Sequence, residues 1–342
     1  MLPSLHKVNF IAEVSANHLG SLERAKEIVI AAAKAGASSV KFQTYTAETM
    51  TLNVDLPDFK VSRDHELWGG RKLFSLYEEA HTPWEWHEEL FNLCRELDVT
   101  PFSSPFDLTA VAFLESINAP MYKIASLETG DHRLIKAVAE TGKPLIISTG
   151  ATEWNEIEDL VEVVEKSGNR DLTLLVCTSS YPSDPVDAHL LRLRTLKNTF
   201  GVKVGLSDHT LGIGVSIAAI ALGSTAIEKH LTLRRIDGGA DGAFSMEPEE
   251  FAMLVREGKS AASALGNSRW SMQDSEKESR RLRRSLYISE DVSAGQVATV
   301  DNVRALRPGG GCEPKLLEEL IGKKFKGNHS IGTPVTVDMF DE

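Results

Sequence analysis

The sequence predicts an α/β protein, a (β/α)8 TIM barrel followed by a small β-rich domain. Three observations carry this expectation. Short apolar runs of strand length alternate with longer segments of helical period, eight of each over about 265 residues, the size and rhythm of such a barrel. The regime changes at a polar, charged stretch, GNSRWSMQDSEKESRRLRR (266–284), which reads as an interdomain linker. Beyond it, SAGQVATVDNV (293–303) and SIGTPVTVDMF (330–340) share Ser, Gly, Thr, Val and Asp in register, as two similar hairpin-like units about a pseudo-twofold would. The expected boundaries are a barrel at 1–268, a linker at 269–283 and a second domain at 284–342. An open doubly wound sheet has the same alternation, but no GxGxxG follows the first run, which weakens a dinucleotide-binding reading.

The predicted strands, in order, are VNFIAEVSA (8–16), SSVKFQTY (38–45), TPFSSPF (100–106), MYKIAS (121–126), PLIIST (144–149), LTLLVCT (172–178), VKVGLSD (202–208) and STAIEKHLT (224–232). Each is rich in Val, Ile, Leu, Phe or Thr, the residues that suit a pleated, buried surface. The segments between them carry helical periodicity. SLERAKEIVIAAAKAG, DHRLIKAVAETG, TEWNEIEDLVEVVEKSG and DAHLLRLRTLKNTFG open on Ser, Asp or Thr and close on Gly, as helix caps require. One connection is long: 46–83, between the second strand and its helix. Connections of this length are functional flaps or disordered segments. Trp68, Phe74, Tyr77 and a Gly-Gly pair favour an ordered flap.

Composition narrows the function classes. Of 342 residues, 42% are hydrophobic and 25% charged, ordinary globular usage. Acidic groups outnumber basic ones 49 to 37, a net charge of −12, which disfavours nucleic acid and anionic membrane as partners. Cys94, Cys177 and Cys312 lie far apart without CxxC spacing, which excludes a disulfide scaffold and suits a reducing compartment. The first twenty residues lack the apolar run of a signal peptide, so a cytoplasmic protein is expected.

In a closed barrel, polar residues at the C-terminal ends of strands converge on one mouth. Glu13, Ser15, Asn17 and His18 end the first run, and Lys41 and Gln43 the second. Ser103, Ser104 and Asp107 close the third; Lys123, Ser126 and Glu128 the fourth; Thr149 the fifth. Thr178, Ser179 and Tyr181 end the sixth, Ser207, Asp208 and His209 the seventh, Glu228 and His230 the eighth. Capping and turn roles account for some of the serines. They do not account for Lys41, Lys123, Glu128 and Glu228, charges inside or just after apolar runs that are costly to bury unpaired. Lys41 and Lys123, with Ser104, Ser126, Ser179 and Ser207, make a cationic, donor-rich cradle for a small phosphate. His209 and His230, on neighbouring strand ends, suit an open divalent metal site with Asp208 and Glu228 as orienting carboxylates. Structural hydrogen bonding is the competing role for such a pair.

AEVSANHLGS, VKFQTY, FSSPFD, YKIAS, LIISTG, CTSSYP, GLSDHT, IEKHLTL and the late RPGGG, in this order, resemble the sialic acid (nonulosonic acid) synthase family over nearly the whole chain. Members condense phosphoenolpyruvate with an open-chain amino sugar. The final segment looks like that family's antifreeze-protein-like (SAF) domain. LWGGRKLFSLYEEAHTPWEWHEEL and DGGADGAFS look most like the pseudaminic acid synthase branch.

The resemblance implies that His209 and His230 bind a divalent cation, Mn²⁺ first, with Co²⁺ or Mg²⁺ as alternatives. It implies that Lys41, Ser104, Lys123, Ser126, Ser179 and Ser207 hold phosphoenolpyruvate. Glu13, Gln43, Glu128, Tyr181 and Asp241 would face the sugar or the reacting carbons, with Lys41, Lys123, Glu13 and Glu128 in catalytic roles. Arg307, in LRPGG, would reach the barrel of the other chain in a domain-swapped homodimer. Ser104 stands where the family often has Thr, and Ser179 where neuraminate synthases carry Asn. Trp68 and Phe74 of the flap, and one of Trp84 and Trp86, would contact the acetamido and 6-deoxy groups of the sugar. The alternatives are an N-acetylneuraminate or legionaminate synthase and, from another class, a carbohydrate-binding protein with an inactive barrel.

Overall fold

A computed structural model describes residues 8–62 and 68–341 and divides the chain into two compact units, 1–266 and 267–342. The first is a closed barrel of eight parallel strands in sequential order, with the first pairing the eighth. The strands are β1 (Asn9–Glu13), β2 (Ser39–Thr44), β3 (Thr100–Pro105), β4 (Tyr122–Ile124), β5 (Leu145–Ser148), β6 (Leu172–Cys177), β7 (Lys203–Ser207) and β8 (Ala226–His230). The helices are α1 (Leu22–Lys34), α2 (Ala47–Met50), α3 (Leu73–Ala80), α4 (His87–Glu96), α5 (Leu108–Ser116), α6 (His132–Glu140), α7 (Trp154–Lys166), α8 (Arg192–Phe200), α9 (Gly214–Ala221) and α10 (Pro248–Ala264). Short α2 and α3 belong to the long β2–α4 connection; the other eight each follow one strand. The TIM barrel is thus the observed fold of this unit.

Cap chemistry sets the helix starts where the sequence predicted it. The Ser21 Oγ accepts from the Arg24 N–H at 3.2 Å, and the carboxylates of Asp107 and Asp131 each accept from two N–H groups of the next turn. Asp107 is therefore a cap and not a site residue.

Side-chain alternation builds two concentric cores. Phe10, Ala12, Val40, Phe42, Ile124, Leu145, Ile147, Leu174 and Leu206 point outward into the cluster shared with the helices. Their neighbours Ile11, Phe102, Ile146, Leu175 and Ala226, with Met121 partly buried, point inward and close the barrel as an apolar plug. Two residues further along each strand the inward positions become Glu13, Ser104, Lys123, Ser148, Cys177 and Glu228. Period 2 thus stacks a polar storey on an apolar one.

The second unit has its own core: Leu286, Ile288, Val303, Phe325, Val335 and Phe340 are buried together. Its regular elements are α11 (Lys277–Arg281), the antiparallel pair β9 (Ser285–Ile288) and β10 (Val303–Leu306), and α12 (Leu317–Leu320). The two sequence repeats form matching turns, with Gly295 (φ 82°) and Gly332 (φ 85°) at equivalent left-handed positions. An isolated bridge, Val292–His329, ties together the residues just before the two repeats, and Val297 of the first repeat bridges Lys324; among the described residues these single bridges stand where hairpin-like units were expected. No helix among the described residues is long and apolar enough to cross a membrane.

Gly205 faces the plug. A Cβ there would lie 2.5 Å from the Ala226 carbonyl oxygen and 2.5 Å from Leu175 Cδ2. Backbone cannot yield as a side chain can. Gly205→Ala should therefore cost about 1–3 kcal/mol by overpacking, read as a lower urea midpoint at unchanged slope.

Candidate active site

The mouth of the barrel opens into a cavity of about 420 Å³. Its floor is a network of buried charges contributed by four strands. Lys41 Nζ lies 2.7 Å from Glu13 Oε2 and 3.8 Å from Glu228 Oε1, and Lys123 Nζ is also 3.8 Å from Glu228 Oε1. All four residues are essentially sealed from bulk water. Ser207 donates to Glu228 Oε1 at 3.0 Å, Lys41 donates to Ser104 Oγ at 3.4 Å, and Gln43 Nε2 donates to both Glu13 Oε1 and Ser15 Oγ at 2.9 Å. Ser15 itself sits at φ 44°, a strained conformation for a non-glycine residue, held by Gln43 and by the turn that follows.

Electrostatics differ among these groups. Burial raises the Glu13 carboxyl, and nearby Lys41 only partly offsets it. For Glu228 burial is outweighed by Lys123 and Lys41, which hold it below the ordinary carboxylate range. Burial likewise opposes the charge on Lys41, but Glu13 and Glu228 win and its pKa is raised. Lys123 goes the other way: burial, reinforced by the neighbouring Lys41 charge, lowers it. Glu128, on the turn after β4, is pushed up to about 7 by burial, against the pull of Lys123.

Ser126 and Gly150 shape one side of the floor. The Gly150 N–H donates to Ser126 Oγ at 3.0 Å, leaving the serine proton available to a ligand. A Cβ at 150 would sit 3.0 Å from Ser126 Oγ and 3.1 Å from Cys177 Sγ, and closer still to Ser179 Oγ, so glycine keeps the cradle open. Several buried polar atoms have no hydrogen-bond partner: Glu128 Oε2, Glu228 Oε2, Ser148 Oγ and His230 Nδ1. All belong to residues lining the cavity. Unsatisfied groups gathered at one place are what a polar ligand would complete.

His209 and His230 are brought together, ring centroids 5.4 Å apart, with Tyr181 4.4 Å from His209 and Phe244 5.0 Å from His230. His209 Nδ1 lies 2.9 Å from the Thr178 carbonyl oxygen, so its Nδ1–H donates there and the ring, when neutral, carries its lone pair on Nε2; burial opposes its charge, but Cys177 and the Thr178 carbonyl outweigh it and raise its pKa. Burial and the positive neighbours hold His230 well below its ordinary value, leaving a neutral imidazole with an unpartnered Nδ1. The pair fits an open cation site completed by water and substrate oxygen. Among the described residues no third His, Cys, Asp or Glu joins it into a closed cage.

The expected carboxylate orienters are a correction. Asp208 accepts from Thr210 N–H at 2.9 Å and Ser216 Oγ at 2.5 Å, and pairs with Lys229 at 3.2 Å. It braces the backbone beside His209 and does not touch the ring. Glu228 is engaged with Ser207 and the lysines instead. Asn17 and His18 are structural too: Asn17 Nδ2 donates to Leu231 O and Ser245 Oγ, and His18 Nδ1 accepts from the Gly20 N–H.

Asp241 reaches the cavity from the loop after β8 and accepts from the Ala16 N–H at 3.2 Å. Of the flap residues, Trp68 lines the cavity, with its indole N–H on the Ala240 carbonyl at 3.1 Å. The other aromatic expectations fail. Phe74 is half-buried away from the cavity, Trp84 stacks on Phe113 at 4.8 Å, and Trp86 packs edge-on against His18. The lining residues Tyr45, Tyr77, Phe106, Ser148 and Cys177 were not assigned to the site from the sequence. Period 2 counted from the inward Ile146 and Leu175 gives the last two. Arg307 is exposed in the second unit.

Comparison with known proteins agrees in extent. Residues 28–269 match the NeuB family and residues 283–341 the SAF domain. The chain is 42% identical to a pseudaminic acid synthase of Helicobacter pylori, covering 98% of both. It is 33% identical to an N,N'-diacetyllegionaminic acid synthase of Campylobacter jejuni, covering 95% of this chain and 98% of that one. Among solved structures, the N-acetylneuraminic acid (sialic acid) synthetase of Leptospira borgpetersenii superposes with a TM-score of 0.71 at 32% identity, covering 80% of this chain and 90% of that one.

The Glu128 environment makes a stability prediction. Its folded pKa of about 7 lies above the ordinary 4.5, so the folded state binds the proton more tightly. Stability should be highest below the unfolded value and fall as pH rises from 4.5 to 7, with a slope of at most about 1.4 kcal/mol per pH step of one. Glu128→Gln should lack this fall, so its denaturation midpoint overtakes the wild type above neutrality and converges toward it below pH 4.5.

Proposed function

The chain belongs to the NeuB family, and on that premise we propose that it is a pseudaminic acid synthase. The reaction joins phosphoenolpyruvate to open-chain 2,4-diacetamido-2,4,6-trideoxy-altrose and releases phosphate. The carrying observation is end-to-end identity of 42% to a synthase of that name, against 33% to the legionaminic enzyme, over a complete charged floor.

Phosphoenolpyruvate is a compact polyanion, and Lys41 and Lys123 are the cations buried at the base of the cavity. Ser126 and Ser207 line the same cavity, Ser104 accepts from Lys41, and Ser179, beside Cys177, would complete the cradle. Glu228, between the two lysines, holds both ammonium groups in place and limits their mutual repulsion. His209 and His230 would hold a divalent cation, Mn²⁺, Co²⁺ or Mg²⁺. When bound, that group supplies Lewis acidity toward the aldehyde oxygen.

The methylene carbon of the enol attacks the aldehyde carbon, and the former enol carbon becomes electron-deficient. Water captures it, and phosphate then leaves by C–O cleavage. Two carboxylates are candidates to guide that water. Glu13 is engaged by Lys41 and Gln43, whereas Glu128 has a buried, unpartnered oxygen and a pKa of about 7, suited to taking a proton near neutrality. We therefore assign the water to Glu128 and a positioning role to Glu13. Gln43, Tyr181 and Asp241 face the sugar. Small-molecule substrates and a cytoplasmic location accord with this role.

Mass spectrometry of the product from phosphoenolpyruvate and the diacetamido-trideoxy sugar tests the assignment. A nonulosonic acid with stoichiometric phosphate is expected, and turnover of 2-acetamido-mannose alone would replace the proposal with a neuraminate synthase. Chelation should stop the reaction until a divalent ion is restored. His209→Ala and His230→Ala should lose both turnover and Mn²⁺ binding by titration calorimetry, with circular dichroism unchanged.

We further propose that Arg307 serves the site of a partner chain in a domain-swapped homodimer. A planar guanidinium suits an amide carbonyl or carboxylate of the sugar. Mixing His209→Ala chains with Arg307→Ala chains under subunit exchange should restore activity, because one site in each mixed dimer then carries neither lesion. A mixture that stays inactive after verified exchange rules the crossing out.

A further inference from the structure

The cavity has two chemically distinct halves. The floor consists of strand residues, and its ionisable groups are those already described. The opposite wall comes from the β2–α4 connection, beyond the strand ends: Met50, Val61, Leu73, Leu76 and Tyr77, with Trp68 at its edge. Among the described residues of this wall, the polar atoms are confined to the phenol of Tyr77 and the indole nitrogen of Trp68, and the indole is turned onto Ala240 O. Leu76 is buried, whereas Met50, Val61 and Leu73 are half-buried around the cavity, as apolar chains awaiting a cover would be.

A linear sugar with its aldehyde at the charged floor must direct its far carbons toward this wall. We propose that the wall formed by Met50, Val61, Leu73 and Leu76 is the specificity determinant for the far end of the sugar, accepting a terminal methyl group and rejecting a terminal hydroxymethyl. This rests on the pseudaminic acid synthase reading and adds to it the residues that select the 6-deoxy carbon. The physical basis is asymmetric. A methyl group against the wall releases water from apolar surface, whereas a hydroxyl there gives up its water hydrogen bonds and finds no partner. Hydrophobic pockets reject an added hydroxyl by about 100-fold at most, which bounds the effect.

The test compares 2,4-diacetamido-2,4,6-trideoxy-altrose with its 6-hydroxy counterpart on the full-length enzyme, by kcat/KM from phosphate release. The wild type should prefer the deoxy sugar by roughly 10- to 100-fold. Leu73→Asn and Met50→Gln, at half-buried positions, should each shrink that preference several-fold. The KM for phosphoenolpyruvate should hold and thermal melting should stay cooperative. Leu73→Met should retain the preference. Equal use of the two sugars by the wild type, or a preference untouched in both folded polar variants, overturns the inference while leaving the synthase reading intact. Turnover of neither sugar overturns the synthase reading and the inference with it. Val61→Thr, near-isosteric and half-buried, keeps the test decisive where either of the other variants fails to fold: a reduced preference supports the wall and an unchanged one overturns it.

Discussion

Two lysines and two glutamates, withdrawn from water inside the barrel, set the terms for everything around them. Each charge alone would be prohibitive to bury, and Coulombic attraction offsets that cost only when geometry is held closely. Glu13, Lys41, Lys123 and Glu228 stand on four different strands, so the closed sheet is what fixes their separations. The apolar plug beneath, from Ile11 to Ala226, keeps that sheet from relaxing. Fold and site are in this sense one object: the barrel exists at a register that stacks charge over hydrocarbon, and a one-residue slip in any strand would invert both.

The arrangement also separates groups that stay charged from groups that exchange protons. Glu228, flanked by both lysines, remains an anion and acts as a spacer between cations. Glu128 lies at the edge of the same field with a free oxygen and titrates near neutrality. Identical side chains thus take different tasks through distance from Lys41 and Lys123. His230, kept neutral by the same surroundings, offers a lone pair and not a third positive charge.

Much of this was legible in the sequence because a strand's period is short and strict. Lys41 in VKF, Lys123 in YKI and Glu228 in IEK stand out as charges where an apolar residue would otherwise be expected, and alternation sends them inward. The same rule read more fully would have supplied Ser148 and Cys177. Where legibility ended, the missing information was three-dimensional. Trp84 and Trp86 lie beside the mouth in sequence, but the seating of α4 turns one onto Phe113 and the other onto His18. Asp208 looked like a partner for His209, yet the next backbone turn offers it Thr210 and Ser216 at shorter range. Its ion partner Lys229 follows Glu228 directly, so one residue separates an inward charge from an outward one. The flap's described parts, 46–62 and 68–83, carry the short helices α2 and α3, whereas 63–67 of the expected ordered flap lie outside the described residues. Its apolar wall was not legible, since Met50, Val61 and Leu73 form a surface only after α2 and α3 fold.

The plug has a kinetic consequence as well as a mechanical one. A barrel sealed at Ile11, Phe102, Ile146 and Leu175 is a shaft with a single entrance, so whatever occupies its base must go in before anything that sits above it. On the proposed placement, with the small anion at the lysines and the longer sugar between floor and flap, the anion would load before the sugar. Phosphate formed at the base would likewise stay covered until the larger product departs. On that placement the order of traffic would be set by the apolar side chains beneath the floor, which meet neither substrate.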